Sequence, residues 1–440
     1  MLLANLIFLH ILSNQKIFNI SDSNSKNFIE SIDPQIDKLI KAEAKRQTQT
    51  IRLIPSENYA PQAVMQACGS LLTNKYSEGY PGARYYEGQS NIDQIETLAI
   101  KRACQLFGAE HANVQPYSGS PANQAAMFAL LEPGDTIMGL NLSEGGHLTH
   151  GYKLNFSAKF FKSVSYSLNP KTEQIDYDEV LELAKKHKPK MIIAGYTAYP
   201  RQVDFAKFRQ IADTVGAYLL ADISHINALV VAGLHSNPVP IADVVTTTTH
   251  KALRGPRGGL ILCKQEHAKK IDKAIMPGLQ GGPHNHVTAA KAVAFKLAMQ
   301  EDFKAYAKAI VANAKALEHA LLAHKVRLVA GGTDTHLLII DALHSFGVDG
   351  RSLAQALNQV GIVCNCNTIP FDPNPPFKPS GIRIGTPAIT TRGLNTDDMQ
   401  KIADWIVQTA QNIEDQNKLQ AIHAQVLDFL ESKPLDPNFA

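Results

Sequence analysis

Met191-Ile192-Ile193-Ala194-Gly195 is followed by Phe205, Phe208, Ile211, Ala212 and Val215 at helical spacing, then by Ala217-Tyr218-Leu219-Leu220-Ala221 closed by Asp222. This stretch decides the fold. The two short runs are apolar at nearly every position, which marks strands buried on both faces, while the residues between them recur with the 3.6-residue period of a one-faced helix. Strand, helix and strand in this order predict parallel pairing. Asp243-Val244-Val245-Thr246-Thr247 and Gly259-Leu260-Ile261-Leu262 read as two further strands. The expected architecture is α/β, a mostly parallel sheet covered on both faces by helices.

Working outward, the chain has 440 residues, enough for two or three domains at roughly 150 residues each. From about Glu301 the texture changes. Ile310, Ala314, Leu317 and Leu321 mark one long amphipathic helix, and Met399, Ile402, Ala403, Ile406 and Val407 mark another with Asn395 or Thr396 as its cap. Leu337-Leu338-Ile339-Ile340 reads as a strand between them. The predicted organisation is an extension at residues 1–28, an N-terminal arm at 29–60, a large domain at 61–300 and a smaller α+β domain at 301–440.

Composition excludes several classes. With 45% hydrophobic and 19% charged residues, and ordinary counts of Gly (28) and Pro (23), the chain is neither disordered nor collagenous. A net charge of +3 spread along the sequence is too small for an electrostatic nucleic-acid binder. No apolar run reaches the roughly 18 residues of a membrane span. Leu2–Leu12 is apolar except for Asn5 and His10, but no basic residue precedes it, no small-x-small cleavage site follows and the first arginine is Arg46, so a targeting role is not expected. Cys68, Cys104, Cys263, Cys364 and Cys366 are odd in number and match no zinc spacing, which points to a reducing, cytoplasmic setting and to no metal site.

The chemistry starts at the strand ends. Asp222 follows one strand and Lys251 follows another after Thr246-Thr247-Thr248-Thr249-His250, so both should reach the carboxyl edge of the sheet, where open α/β folds bind ligands. An acid and a lysine there suit pyridoxal phosphate: the amine condenses with the cofactor aldehyde, and the carboxylate keeps the ring nitrogen protonated. Two residues alone equally describe a structural ion pair. Ser118-Gly119-Ser120-Pro121-Ala122-Asn123, ahead of a strong helix former, adds backbone donors and a helix dipole for a phosphate, as a plain helix cap also would. Gly278-Leu279-Gln280-Gly281-Gly282-Pro283 is a second permissive loop or a simple turn. Arg383, among small and apolar neighbours, is suited to clamping a carboxylate or to a buried structural role. Tyr76-Ser77-Glu78-Gly79-Tyr80 and Arg84-Tyr85-Tyr86 gather aromatics around one carboxylate, a packing cluster or, for Glu78, an acid–base group.

Several longer runs then coincide in order. Leu53-Ile54-Pro55-Ser56-Glu57-Asn58-Tyr59, Leu72-Thr73-Asn74-Lys75-Tyr76-Ser77-Glu78-Gly79-Tyr80-Pro81-Gly82, Gly145-Gly146-His147-Leu148-Thr149-His150-Gly151, Thr246 to Lys251, Gly255-Pro256-Arg257-Gly258-Gly259 and Ser380 to Thr391 together resemble the serine hydroxymethyltransferase family of fold-type-I pyridoxal-phosphate enzymes, whose fold is aspartate-aminotransferase-like. The resemblance runs from about residue 30 to the C-terminus. It implies that Lys251 carries the cofactor, Asp222 pairs with its ring nitrogen and His147 stacks on its ring. Ser118, Gly119 and Ser120 would hold the phosphate with Gly282 from a second subunit, and Thr197, Thr248 and His225 would surround the ring substituents. Arg383, helped by Ser56, Tyr76 and Tyr86, would bind the substrate carboxylate. Glu78 would be the acid–base residue, and His250 would tune specificity. Leu142, Gly146, His147, Leu148, Tyr85, Asn367, Pro375, Pro376 and Phe377 would receive tetrahydrofolate. The implied reaction converts L-serine and tetrahydrofolate reversibly to glycine and 5,10-methylenetetrahydrofolate, in a homodimer or a pair of dimers with active sites at the interface.

Some positions depart from the pattern. Ala83 and Cys366 stand where the family usually has Lys, and Glu87 where it has Gly, which removes positive charge near the expected folate mouth. Ser224, Asn227 and Ala228 replace Ala, Ala and Gly, and Tyr117, Pro121 and Ala252 replace His, Gln and Thr. These changes motivate two alternatives with the same cofactor, an α-methylserine-type transferase and a folate-independent 3-hydroxy amino acid aldolase. A catalytically silent binding dimer is a third reading, which intact Lys251, Asp222, Arg383 and Glu78 oppose.

Overall fold

The computed structural model describes residues 28–436 and Phe439. Apart from Phe28, the extension expected at residues 1–28 lies outside the described residues. The chain forms two compact units that divide between Thr48 and Gln49. In the first, the helices Phe28–Ile32 and Pro34–Thr48 carry a Lys41–Asp37 ion pair of 2.7 Å one turn apart and leave Ile32, Leu39 and Ile40 exposed.

The second unit is built on a seven-stranded sheet. Its strands are β1 (His111–Asn113), β2 (Thr136–Leu140), β3 (Lys162–Tyr166), β4 (Met191–Gly195), β5 (Tyr218–Asp222), β6 (Val244–Thr248) and β7 (Gly259–Cys263). They lie in the order β1-β7-β6-β5-β4-β2-β3. The apolar runs become the central strands as their composition requires, every residue of β4, β6 and β7 being buried. Pairs from β3 to β6 are parallel, whereas β7 is antiparallel to both its neighbours. The reason is local: the loop Thr249–Gly258 between β6 and β7 is shorter than the dozen or so residues a parallel crossover needs. The register pairs Gly195 with Asp222 and Asp222 with Thr246, so Asp222, Thr248 and Lys251 converge on the carboxyl edge.

One buried cation fixes that edge. The Lys291 ammonium is enclosed and donates to the carbonyls of Val114 (2.6 Å), Gly259 (2.8 Å) and Pro116 (3.1 Å), which ties the end of β1 to the start of β7 directly before Ser118.

A three-stranded antiparallel sheet follows, of β8 (Leu337–Asp341), β9 (Asn365–Asn367) and β10 (Gly381–Gly385) in the order β8-β10-β9. Residues 51–52, within the expected arm, pair in parallel with Ile362–Val363 and so pack with this part of the chain. The long helix Glu301–Ala323 joins two hydrophobic cores. Phe303, Tyr306 and Ile310 belong to the core of the large sheet, and Ala314, Leu317 and Leu321 to the core around β8 and β10. The change of texture at Glu301 is thus the start of a helix shared by both. The later helix runs Asp398–Gln411 with Asp397 at its cap, not Asn395 or Thr396, because the Asn395 side chain turns to accept from the Asp397 amide and closes a turn ahead of the helix.

Ile310 sits in the middle of the shared helix, fully buried. Ile310→Ala is expected to lower the unfolding free energy by about 2–5 kcal/mol, read by urea denaturation. An unchanged midpoint would contradict the shared-helix account.

Candidate functional site

A cavity of about 210 Å³ opens at the carboxyl edge of the large sheet, lined among others by Ser118, Gly119, Ser120, His147, Thr197, Asp222, His225, Thr248, His250 and Lys251. Ten sequence-predicted residues thus meet in one place. The helix Gly119–Leu130 begins here with Ser118 in extended conformation at its cap, and the Ala122 amide is the first of its turn to bond back, to the Ser118 carbonyl at 3.1 Å. Ser118, Gly119 and Ser120 line the cavity, so the positive end of the helix dipole lies beside it. Gly119 is required by close approach: a Cβ there would lie 2.7 Å from Thr248 Cγ2.

Asp222 ends β5 as a buried carboxylate with a full set of donors. Ser224 gives its amide (3.0 Å) and hydroxyl (2.6 Å) to Oδ1, and the Asn123 amide (2.9 Å) and His150 Nε2 (3.2 Å) go to Oδ2. Burial works to raise its pKa, but the hydrogen bond and proximity of the His150 ring, the nearby His147 and the Asn123 amide together hold it well below the usual aspartate range. Lys251 titrates in the opposite sense. Burial brings its ammonium pKa down to about 8, against the pull of Asp222 and with help from Arg383 and Arg257. A larger share of the amine is therefore uncharged near neutral pH than in an ordinary lysine.

Three imidazoles of the cavity, those of His147, His225 and His250, are uncharged near neutral pH. His147, chiefly through burial, is brought down to about 4, His250 to about 3, and His225 falls well below its ordinary value. His147 Nδ1 accepts from the Thr149 amide at 3.2 Å, which leaves a flat uncharged ring on the cavity wall. His225 Nδ1 lies 3.3 Å from His336 Nε2. His225 Nε2, Thr248 Oγ1 and His250 Nδ1 are buried with no hydrogen-bond partner. Orphaned polar atoms are rare in folded proteins. Here they line a cavity that also offers a carboxylate, a lysine and a helix N-terminus, and this set fits pyridoxal phosphate.

Arg383, in β10, is 6% exposed and donates Nη1 to the Thr197 carbonyl (2.6 Å) and Nε to Asn365 Oδ1 (3.1 Å). No carboxylate lies within ion-pair distance of it among the described residues, and burial lowers its pKa to about 10. It is a buried cation whose acceptors are a carbonyl and an amide oxygen. Ser56 lies in an adjoining cavity that shares His250 and Arg257 with the first.

A second cluster forms apart from these cavity walls. Tyr76 donates to Glu78 Oε1 at 3.3 Å and packs edge-on to Tyr86 with ring centroids 5.3 Å apart. The loop glycines are needed here for proximity rather than for a left-handed backbone. None of Gly278, Gly281 and Gly282 has a positive φ, but a Cβ on Gly281 would meet Glu78 Oε1 at 2.8 Å and one on Gly282 the Tyr76 ring at 3.2 Å. None of Tyr76, Glu78, Tyr86 and Gly282 lines the cavity that holds Lys251. Of the residues expected to receive folate, Leu142 and Asn367 lie on neighbouring segments, where Thr368 Oγ1 donates to the Ser143 carbonyl at 2.8 Å. Leu148, Tyr85 and Phe377 are exposed, and Pro375 bonds its carbonyl to the Lys378 amide. Gly146 is packed so tightly that a Cβ would strike the Leu140 carbonyl.

Sequence reasoning missed the partners that hold the predicted groups. Asn123 and His150 serve Asp222, and Arg257 and Tyr196 line the cavity. Arg84 binds the carbonyls of Ser77 (2.9 Å) and Gly79 (2.8 Å) on either side of Glu78 and is itself neutralised by Asp93 and Glu96. The run Arg84-Tyr85-Tyr86 drew notice for its aromatics, when its arginine was the structural centre. Among the described residues no His, Cys, Asp and Glu cluster is arranged to hold a metal ion.

Comparison with known proteins follows the same lines. The family model for serine hydroxymethyltransferase matches residues 29–406. A curated serine hydroxymethyltransferase from Sorangium cellulosum is 56% identical over 406 residues, which is 92% of this chain and 96% of that protein. Proteins of the same name from Acidobacterium capsulatum and Acidothermus cellulolyticus are 54% and 55% identical, over 94% and 93% of this chain and 97% and 96% of their own lengths.

Because an amine is nucleophilic only when unprotonated, acylation of Lys251 in cofactor-free protein should rise with pH to half its maximum near 8. Peptide mass spectrometry after timed labelling reads this directly. An inflection in the ordinary lysine range, above about 10, would contradict the burial argument.

Proposed function

The chain belongs to the serine hydroxymethyltransferase family, and we propose that its cavity residues divide that family's reaction among them as follows. The protein is a pyridoxal-phosphate-dependent transferase that interconverts L-serine and tetrahydrofolate with glycine and 5,10-methylenetetrahydrofolate. Pyridoxal phosphate, when bound, accepts the electron pair released at the substrate Cα.

The protein's own groups do the rest. Ser118, Gly119 and Ser120 bind the phosphate through hydroxyls and first-turn amides. Asp222, kept ionised, holds a proton at the ring nitrogen, and His147 offers its neutral ring as a stacking face. Lys251 supplies an amine whose pKa, lowered to about 8, makes the uncharged form easier to reach than for an ordinary lysine. Thr197, Thr248 and His225 surround the ring substituents, with the unpartnered Thr248 Oγ1 and His225 Nε2 as available contacts. Arg383 receives the substrate carboxylate, which restores the counter-charge its burial denies it, assisted by Ser56, Tyr76 and Tyr86. Glu78 moves a proton at the serine hydroxyl, and His250 bounds the pocket beside Lys251. The folate lies along Leu142, Gly146, His147, Leu148, Tyr85, Asn367 and the Pro375-Pro376-Phe377 turn.

A homodimer completes the site in this proposal. The observation that carries it is that Tyr76, Glu78, Tyr86 and Gly282 gather in one cluster of a single chain without lining the cavity that holds Lys251. A twofold partner that presents this cluster to the cavity supplies the missing acid–base group. No described helix is long and apolar enough to cross a membrane, and we place the enzyme in the cytoplasm. No observation favours the α-methylserine, aldolase or silent-dimer readings.

The division of labour is tested by subunit mixing. Glu78→Gln and Lys251→Ala should each abolish tetrahydrofolate-dependent glycine formation from serine. Mixed and reassociated in equal amounts, they should recover about a quarter of wild-type activity, because half the dimers then contain one intact site of two. Recovery of nothing would contradict a site shared between subunits.

A further inference from the structure

Ser224 stands two residues beyond Asp222 and lines the cavity. Its hydroxyl donates to Asp222 Oδ1 at 2.6 Å and accepts from the Thr248 amide at 3.1 Å. Thr248 is held from the other side as well, since Asn227 Nδ2 donates to its carbonyl at 2.9 Å. A short chain of hydrogen bonds therefore runs from the Thr248 amide through the Ser224 hydroxyl to the carboxylate. The amide polarises the hydroxyl and makes it a stronger donor.

An ionised carboxylate has about four lone-pair positions. In Asp222 all four already face donors of this chain, the Ser224 amide and hydroxyl on Oδ1 and Asn123 and His150 on Oδ2. A further donor can reach Asp222 only by sharing a position. Of the four, the Ser224 hydroxyl makes the shortest contact, and it is the one that a change from serine to alanine removes without touching the main chain.

We propose that Ser224 is a positioning residue that takes up part of the negative charge of Asp222 and so weakens the hold of that carboxylate on the ring nitrogen of the cofactor. The proposal rests on the contact between Asp222 and the ring nitrogen assigned above. A lone pair freed on Oδ1 goes to the ring N–H, and the charge no longer drawn to the hydroxyl strengthens that bond.

The test compares two ligands that differ at one atom. Equilibrium binding to the cofactor-free full chain is measured for pyridoxal phosphate and for its analogue with carbon in place of the ring nitrogen. The ratio of the two dissociation constants reports the nitrogen contact alone, because a general loosening of the cavity moves both equally. Wild type should prefer the nitrogen compound. Ser224→Ala should raise that preference by about three- to ten-fold, the size of one charge-assisted hydrogen bond redistributed, while Ser224→Thr, which keeps the hydroxyl, stays with wild type. A preference unchanged or reduced in Ser224→Ala overturns the proposal even if both ligands bind more weakly. Absence of any preference in wild type removes the Asp222 contact itself and overturns both.

Discussion

The rest of the site depends on one buried carboxylate. Asp222 ends the central strand β5, where the sheet is covered on both faces, and burial alone would drive it to take up a proton. It stays ionised because donors from separate parts of the chain converge on it: Asn123 from the helix that begins at the phosphate site, His150 from the loop after β2, and Ser224 from the turn after β5. Each of these elements must be in place for the charge to be tolerated. In return, the carboxylate fixes where the elements sit, so the fold and the chemistry share one constraint.

Around this anion the cavity is arranged so that few other groups carry charge. His147, His225 and His250 are neutral through burial, and the same burial brings the Lys251 pKa down to about 8. Arg383 stays a cation with no carboxylate partner among the described residues. A low-dielectric pocket with a fixed anion at the end of β5, Arg257 on its lining and the Arg383 cation of β10 close enough to act on Lys251 orients a bound molecule by its own charges. Lys251, with its lowered pKa, lines the same pocket. Burial depresses the histidines and the lysine, while the donors around Asp222 keep its charge against that same burial.

Much of this was legible in the sequence, for identifiable reasons. A strand buried on both faces is apolar throughout, so β4 and β5 announced themselves, and a charged residue just past such a strand has only the sheet edge to occupy. The helix start at Ser118-Gly119-Ser120 carried its own signal in small residues before a helix-forming run. What stayed hidden depends on pairing across the chain. Asn123 and His150 lie 99 and 72 residues from Asp222, and nothing in their local sequence says which carboxylate they serve. Gly281 and Gly282 looked like turn glycines, but the reason for them is the approach of Glu78 and Tyr76 from a distant segment. Arg84 was noted only as the start of an aromatic run, and the fold brings Asp93 and Glu96 around it. Ser224 was visible as an unusual residue in its motif, and only the structure supplies the contact that gives it meaning.

The central claim is that Asp222 remains ionised in the folded protein against the cost of its burial. Selective carbon-13 labelling of aspartate side chains, with Asp222 identified by comparison with Asp222→Asn, allows its carboxyl resonance to be followed by NMR as the cofactor-free protein is acidified. The account predicts no protonation shift through the range in which ordinary aspartates titrate, because the His150, Asn123 and Ser224 donors hold the charge until the fold itself gives way. A titration at or above the ordinary aspartate range would contradict it.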